Sequence, residues 1–371
     1  MKIGVVGCGL MGSRRAAVAS ELGEKVVLVA DVDSARAQGL AEKSGGKWSA
    51  DWREVVGKPD VDIVVVSTVN KLLAPVTVAA LKAGKHVLCE KPLGRNAVEA
   101  REMVEVARQA SRILKVGFNH RHHPAIWKAH EICWQGAIGP LMFVRAVYGH
   151  GGRPGYGKEW RADPELAGGG ELLDQGVHIL DLCRWFMGDF SKVFGCIGTY
   201  FWDLGYFETA EGARRSADVR QASAVGRQSS ASGRQLEDNA FALLRTADGR
   251  VAQFHTSWTQ WKNRFSFEAF GRDGYVRVEG LGASYGMEHL EVGRRNVKGG
   301  PPDVEVQEFP GPDRSWHAEW QELTSAICEG RQPTANGDDG LEAMRLIAAI
   351  YESSRTGKYS EPEPPSLRSQ Y

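Results

Sequence analysis

The chain has 371 residues, 42% hydrophobic and 25% charged, which is the composition of a soluble globular protein with room for about two domains. Lys plus Arg and Asp plus Glu both number 46, so no net field is available to hold a polyanion, and nucleic acid is a poor partner. No apolar run approaches the ~18 residues of a membrane helix, the sequence opens directly on a strand pattern, and the six cysteines have neither CxxC spacing nor a nearby second ligand. The expectation is a cytoplasmic protein with buried reduced thiols, no metal site and no membrane partner.

In the first third, short β-branched runs at 2–6, 26–30, 63–67, 86–89 and 113–116 alternate with amphipathic stretches that read as helices. Parallel neighbours need a crossover, so the alternation predicts a doubly wound Rossmann domain with a parallel sheet over residues 1–120. Beyond it a helix at 124–134, a strand at 142–148 and a glycine-rich loop entering a helix at 172–185 open a second domain, expected over 121–360. Strand-like runs at 241–245, 251–258, 265–270 and 275–278 are punctuated by the turn signals Asp248-Gly249 and Asp273-Gly274. They predict a large, mainly antiparallel open sheet with helices on one face, followed by helices near 316–328 and 338–352. The fold class is thus α/β followed by α+β. Residues 209–235 are polar, without an aromatic, and read as a flexible loop whose arginines are solvated or meet an anionic substrate. The Pro-rich stretch 361–371 reads as a disordered tail.

Gly7-Cys8-Gly9-Leu10-Met11-Gly12 places GxGxxG between a strand and a helical run, the context in which the motif carries meaning. The first glycine permits the turn, the second lets backbone approach a pyrophosphate and the third lets helix and strand pack, leaving the phosphates on the helix N-terminus. Asp31 ends the second strand, about 20 residues on, where a carboxylate accepts the ribose hydroxyls and repels a 2′-phosphate. NAD is therefore expected rather than NADP, with Gly7, Gly9, Leu10, Met11, Gly12, Asp31, Thr68, Asn70, Glu90 and Lys91 around it.

Glu90-Lys91-Pro92 follows another strand, at the carboxyl edge where open α/β sheets bind ligands. Taken alone, such a lysine is usually a solvated charge. After Gly168-Gly169-Gly170, the helical run carries Asp174, His178 and Asp181 at i, i+4 and i+7 on one face of an otherwise apolar segment. A histidine beside a carboxylate is a candidate proton acceptor for an alcohol, with the acid orienting the ring. The alternative is that these polar groups only satisfy one another inside the packing.

The chain resembles the GFO/IDH/MocA oxidoreductases nearly end to end. The marks are GCGLMG at 7–12, AGKHVLCEKPL at 83–93, VGFNHRHHPA at 116–125 and GGGELLDQGVHILDL at 168–182. The resemblance implies hydride transfer between nicotinamide and a carbinol carbon, with Lys91, Asp174 and His178 around the substrate alcohol. It also implies a sugar, sugar derivative or cyclitol substrate, a polyhydroxylated ring suited by Asn119, Arg121, His122, Arg153, Tyr156, Trp160 and Arg161. One departure stands at Thr68-Val69-Asn70-Lys71-Leu72-Leu73, where relatives usually read TPNxxH and this chain has Val69 and Leu73 at the Pro and His positions. An NAD-retaining glycosidase and a non-catalytic dinucleotide sensor are the rival classes. Relatives commonly pair through the C-terminal sheet, so a homodimer or homotetramer is expected, with Trp258 and Trp261 at the interface or packed within their own domain.

Overall fold

A computed structural model describes residues 1–152, 156, 159–200 and 236–363. The loop expected at 209–235, Arg153 and the tail from 364 lie outside the described residues. By internal contacts the chain divides into unit 1, Met1–Pro124 with Asp313–Arg345, and unit 2, Ala125–Pro312 with the residues from Leu346 onward.

In unit 1, strand and helix alternate through β1 (Lys2–Val6), α1 (Leu10–Glu21), β2 (Lys25–Ala30), α2 (Ser34–Ser44), β3 (Lys47–Ser49) and α3 (Trp52–Gly57). The alternation continues with β4 (Ile63–Val66), α4 (Asn70–Lys82), β5 (His86–Cys89), α5 (Ala97–Gln109) and β6 (Leu114–Val116). The six strands are parallel in the order β3-β2-β1-β4-β5-β6. All four residues of β4 are inaccessible, as expected for an unbroken Ile-Val-Val-Val run in the middle of such a sheet. Side-chain caps set the helix starts: Asp33 accepts the Ala35 and Arg36 N–H groups, and Asn96 those of Val98 and Glu99. The strand order reverses between β1 and β4, and a crevice at such a switch point is where ligands of open sheets bind.

The sequence alone places one boundary near residue 120, with the second domain running to 360. In the structure α9 (Ser315–Glu329) and the start of α10 (Gly337–Thr356) group with unit 1. Trp316, Trp320, Leu323 and Ala326 of α9 join the cluster built by Ile3, Val5, Ala16, Ala19 and Val29. An amphipathic pattern reveals which face of a helix is apolar but not which sheet that face covers.

Unit 2 contains α6 (Pro124–Trp134), β7 (Leu141–Gly149), the short α7 (Pro164–Ala167), a π-helical turn at Leu172–Gly176 and α8 (Val177–Met187). Its remaining strands are β8 (Phe190–Gly198), β9 (Asn239–Thr246), β10 (Val251–Ser257), β11 (Arg264–Gly271), β12 (Gly274–Glu279), β13 (Glu288–Arg294) and β14 (Asp303–Phe309). Eight strands form one sheet in the order β14-β13-β12-β11-β7-β10-β9-β8, and only the β7–β10 pair is parallel. Burial alternates along β9, with Phe241 and Leu243 exposed between buried Ala240, Ala242 and Leu244, so one face of the sheet is covered and the other open. Phe186 of α8 packs on Phe267, and Ser353 of α10 accepts the Gly195 N–H on the covered side.

Two expectations need correcting. Trp258 is not on an exposed sheet face: it is 1% accessible and meets the Tyr156 ring edge-on, while Trp261 stands 61% exposed. The six cysteines are free thiols, but Cys196 and Cys328 are exposed, not buried. Cys196 sits in β8 at the register position opposite exposed Phe241, which an apolar run alone does not disclose. No helix among the described residues is long and apolar enough to cross a membrane.

Candidate active site

The glycine loop between β1 and α1 is shaped by close approaches. Gly7 has φ +93, in the left-handed region, and a Cβ on Gly12 would lie 1.8 Å from the Gly7 carbonyl oxygen. Over Gly9, by contrast, a Cβ would meet nothing within 4 Å. Gly9 also supplies no side-chain cap, so the first-turn N–H groups of α1 are available to an anion, with Leu10 exposed at the turn. Asp31 follows β2, and its carboxylate is fixed by two backbone donors: Cys8 N–H to Oδ2 at 2.7 Å and Asp33 N–H to Oδ1 at 2.9 Å. Each oxygen retains a lone pair for a further donor. Burial, reinforced by Asp31, pushes the Cys8 thiol up to about 12, so it stays neutral beside that carboxylate.

Thr68 and Asn70 lie where β4 passes into α4, on the other side of the switch point from the glycine loop. Leu73, the position at which relatives carry histidine, is 0% accessible and part of the core, so it offers no polar group there. Glu90 and Lys91 leave the carboxyl end of β5, with the Lys91–Pro92 peptide cis. Lys91 is half-buried, whereas Glu90 is buried and accepts the Arg15 Nε–H at 2.8 Å.

Asn119–His122 form a 3₁₀ turn whose side chains, like that of His123 after it, are all buried. Asn119 donates to Ser315 Oγ at 3.0 Å, and Arg121 pairs with Asp339 at 3.1 Å. Burial first, then the charges of Lys115, Arg121 and Arg15, holds His122 well below its ordinary range, so it is a neutral imidazole. Asn119 and Arg121, expected to face substrate, have protein partners inside unit 1.

In unit 2, the helical run expected at 172–185 is present, but its first turn, Leu172–Gly176, is π-helical before α8 begins at Val177. Such a turn is wider than an α-turn and frequent at functional sites, and the uniform helical face drawn from the i, i+4, i+7 spacing does not apply across it. Glu237, fully buried, accepts the N–H groups of Gly170 and Leu172, both at 3.1 Å, and the Tyr351 hydroxyl at 2.7 Å, anchoring the start of this turn. Asp174 is ion-paired with Arg161 at 3.5 Å, and that guanidinium lies over the Trp160 ring at 4.6 Å. Although burial opposes its charge, Asp174, Tyr156 and Glu159 together raise the Arg161 pKa above its ordinary value. His178, 5% accessible, meets the Tyr148 ring edge-on at 6.3 Å, and Asp181 is buried one turn further along. Tyr156 is 2% accessible between His150 and Trp258.

The structure therefore groups Gly7, Gly9, Leu10, Met11, Gly12, Asp31, Thr68, Asn70, Glu90, Lys91, Asn119 and Arg121 in unit 1, and Tyr156, Trp160, Arg161, Asp174 and His178 in unit 2. Several neighbours of these groups escaped the sequence reading. The Tyr148 and Tyr285 rings stand against each other, 5.5 Å between centroids. Burial raises both phenols, Tyr285 to about 12, so they are hydrogen-bonding neutral groups at physiological pH. Glu171 is 0% accessible and acts on both phenols by its charge. Glu171 and Gln175 flank Asp174 in the motif itself, which is a local signal, whereas Tyr148 and Tyr285 come from a strand and a loop with no such mark.

A family model described as an oxidoreductase family with an NAD-binding Rossmann fold matches residues 1–118, and the GFO/IDH/MocA C-terminal domain model matches residues 126–277. The chain is 31% identical over 348 residues to a 1,5-anhydro-D-fructose reductase of Ensifer adhaerens, covering 92% of both chains. It is 28% identical over 333 residues to a levoglucosan dehydrogenase of Pseudarthrobacter phenanthrenivorans, covering 82% of this chain and 81% of that one. A solved levoglucosan dehydrogenase in complex with NADH and L-sorbose superposes with a TM-score of 0.84 at 22% identity, over 99% of this chain and 100% of that one, a likeness of fold. With models matched in both halves and a relative aligned along nearly the whole length, the chain belongs to the GFO/IDH/MocA family of NAD-binding oxidoreductases.

Proposed function

We propose that this chain moves a hydride between a secondary alcohol of a sugar, sugar derivative or cyclitol and the nicotinamide of NAD, as a cytoplasmic enzyme. The observation that carries the reading is the coincidence, at one carboxyl edge of the unit 1 sheet, of an uncapped α1 N-terminus, open space over Gly9 and the backbone-held Asp31 carboxylate. That donor and acceptor set fits a dinucleotide: N–H groups for the pyrophosphate and a carboxylate for the adenosine ribose. NAD, when bound, supplies the hydride acceptor.

The protein's own residues handle the proton and the oxygen. His178 takes the hydroxyl proton on a ring nitrogen, and the negative charge of Asp174, which is ion-paired with Arg161, favours the resulting imidazolium. The Lys91 ammonium donates to the alcohol oxygen and stabilises the negative charge that grows there. Trp160 and Arg161 of unit 2, both partly accessible, are the substrate contacts this reading favours.

The two full-length relatives are named for levoglucosan and 1,5-anhydro-D-fructose, sugars without a free anomeric hydroxyl, so these head the substrate panel. Inositols and nucleotide sugars complete it. Following NADH by absorbance decides the class: NADH formed in step with product supports a dehydrogenase, product without net NADH supports the NAD-retaining glycosidase, and no turnover across the panel refutes the enzyme reading in favour of a sensor. A homodimer or homotetramer through the open sheet face is part of the proposal. Phe194, Phe241 and Leu243 lie there at 36–39% exposure, Phe194 directly opposite Leu243 in the β8–β9 register.

A further inference from the structure

Arg15 is 1% accessible, a rare state for a guanidinium, and it spends its donors on two carboxylates far apart in sequence. Its Nε donates to Glu90 at 2.8 Å, and its Nη1 donates to Glu319, which is 0% accessible. The Trp316 ring lies beneath the guanidinium, 4.4 Å from centroid to Cζ. Space for this arrangement depends on Gly117, where a Cβ would come within 2.8 Å of Arg15 Nη2 and 3.0 Å of Glu90 Oε2. One turn along α9, Glu322 pairs at 2.8 Å with Lys115 of β6, itself 0% accessible, so α9 is tied to α1 by a buried ion pair and to β6 by a part-buried one.

Buried ion pairs are poor sources of stability, because desolvation cancels most of the attraction and apolar groups of similar volume do as well. What they supply is direction: a planar fork with two anchored carboxylates fixes position in a way that packed hydrocarbon does not. The two elements that Arg15 joins are both functional under the reading above. It stands on α1, whose first turn forms the anion cradle, and it grips Glu90, the residue directly before Lys91. We propose that Arg15, braced by Glu319, is a positioning residue that sets Lys91 relative to the bound dinucleotide through Glu90, and that Glu90 acts as its anchor point and not as a cofactor ligand. This rests on the assignment of Lys91 to the substrate oxygen.

The test is a kinetic double-mutant cycle on the full chain, using NAD and the best alcohol of the panel. Arg15→Lys keeps the charge but cannot span both carboxylates, and Glu90→Gln keeps the shape and leaves the Arg15–Glu319 contact in place. Each is expected to lower kcat by about tenfold to a hundredfold, the scale of a misplaced reacting group, with NADH affinity and binding stoichiometry near wild type. In a Lys91→Ala background the same substitutions should have no further effect on kcat. Multiplicative losses in that background, or single variants with wild-type kcat, overturn the proposal. If neither variant binds NADH stoichiometrically, the contact serves folding alone and the proposal is equally overturned. Full turnover in Lys91→Ala by itself refutes the role of Lys91 first, an outcome distinct from a normal Lys91 effect without coupling to Arg15.

Discussion

Replacing Asp31 separates the two nicotinamide cofactors. In the structure its carboxylate holds the Cys8 and Asp33 N–H groups, so Asp31→Ala removes two loop bonds that either cofactor would rely on equally. NAD loses in addition its charge-assisted hydrogen bonds from the ribose hydroxyls, about 1.5–3 kcal/mol each. NADP, with a phosphate on the 2′ oxygen, loses a repulsion: two unit charges about 5 Å apart repel by about 3 kcal/mol at an effective dielectric near 20. The part-exposed setting of Asp31 and salt reduce that figure. The ratio of NADPH to NADH dissociation constants should then fall by about 10²- to 10³-fold at about 1.4 kcal/mol per decade, although both absolute affinities drop. Titration by quenching of tryptophan fluorescence measures both constants on one sample. Asp31→Asn, which retains an acceptor for one loop N–H, isolates the effect of charge. Equal weakening of NADH and NADPH would falsify the ribose assignment.

Lys91→Ala and His178→Ala should each reduce kcat by about a hundredfold or more, the contribution of a positioned acid or base, with NADH titration curves and melting temperatures near wild type; a folded His178→Ala enzyme with native turnover removes it from the mechanism. Trp320→Ala empties a site 1% accessible in the unit 1 core and should cost about 3–5 kcal/mol in urea unfolding; a change under about 1 kcal/mol contradicts the packing of α9 there. Burial raises Glu237 above its ordinary 4.5, outweighing its hydrogen bonds to Tyr351, Leu172 and Gly170, so the folded state holds this proton more tightly than the unfolded chain. Its contribution is full below pH about 4.5 and is lost as pH rises through the folded pKa. Glu237→Gln, which does not titrate, should flatten the fall of melting temperature with pH above that point, and an unchanged slope refutes the assignment. Leu243→Glu places a charge in the exposed β8–β9 patch and should turn an oligomer into monomers by sedimentation; a wild-type chain that sediments as a monomer at micromolar concentration excludes the interface outright.

The residues that the sequence alone made legible are those whose chemistry is local. GxGxxG needs only the strand before it and the helix after it, the β-branched runs declare buried parallel strands by composition, and Asp31 is recognised by its distance along the chain. The order of the strands, with the reversal between β1 and β4 that faces Gly7 toward Thr68, adds only the crossover rules to that information. What the tertiary structure decided are matters of which distant segment meets which. Arg15 reads as one more basic residue on an amphipathic helix until Glu319, 304 positions away, is brought against it. Asn119 and Arg121 have the polarity of substrate contacts, yet Ser315 and Asp339, 196 and 218 positions further along the chain, bind them inside unit 1. The π-turn at Leu172–Gly176 departs from the α-helical period that the apolar spacing implies, with the buried Glu237 carboxylate holding its first N–H groups. Propensity and periodicity are functions of neighbours along the chain, whereas burial and charge pairing are functions of neighbours in space, and only folding relates the two.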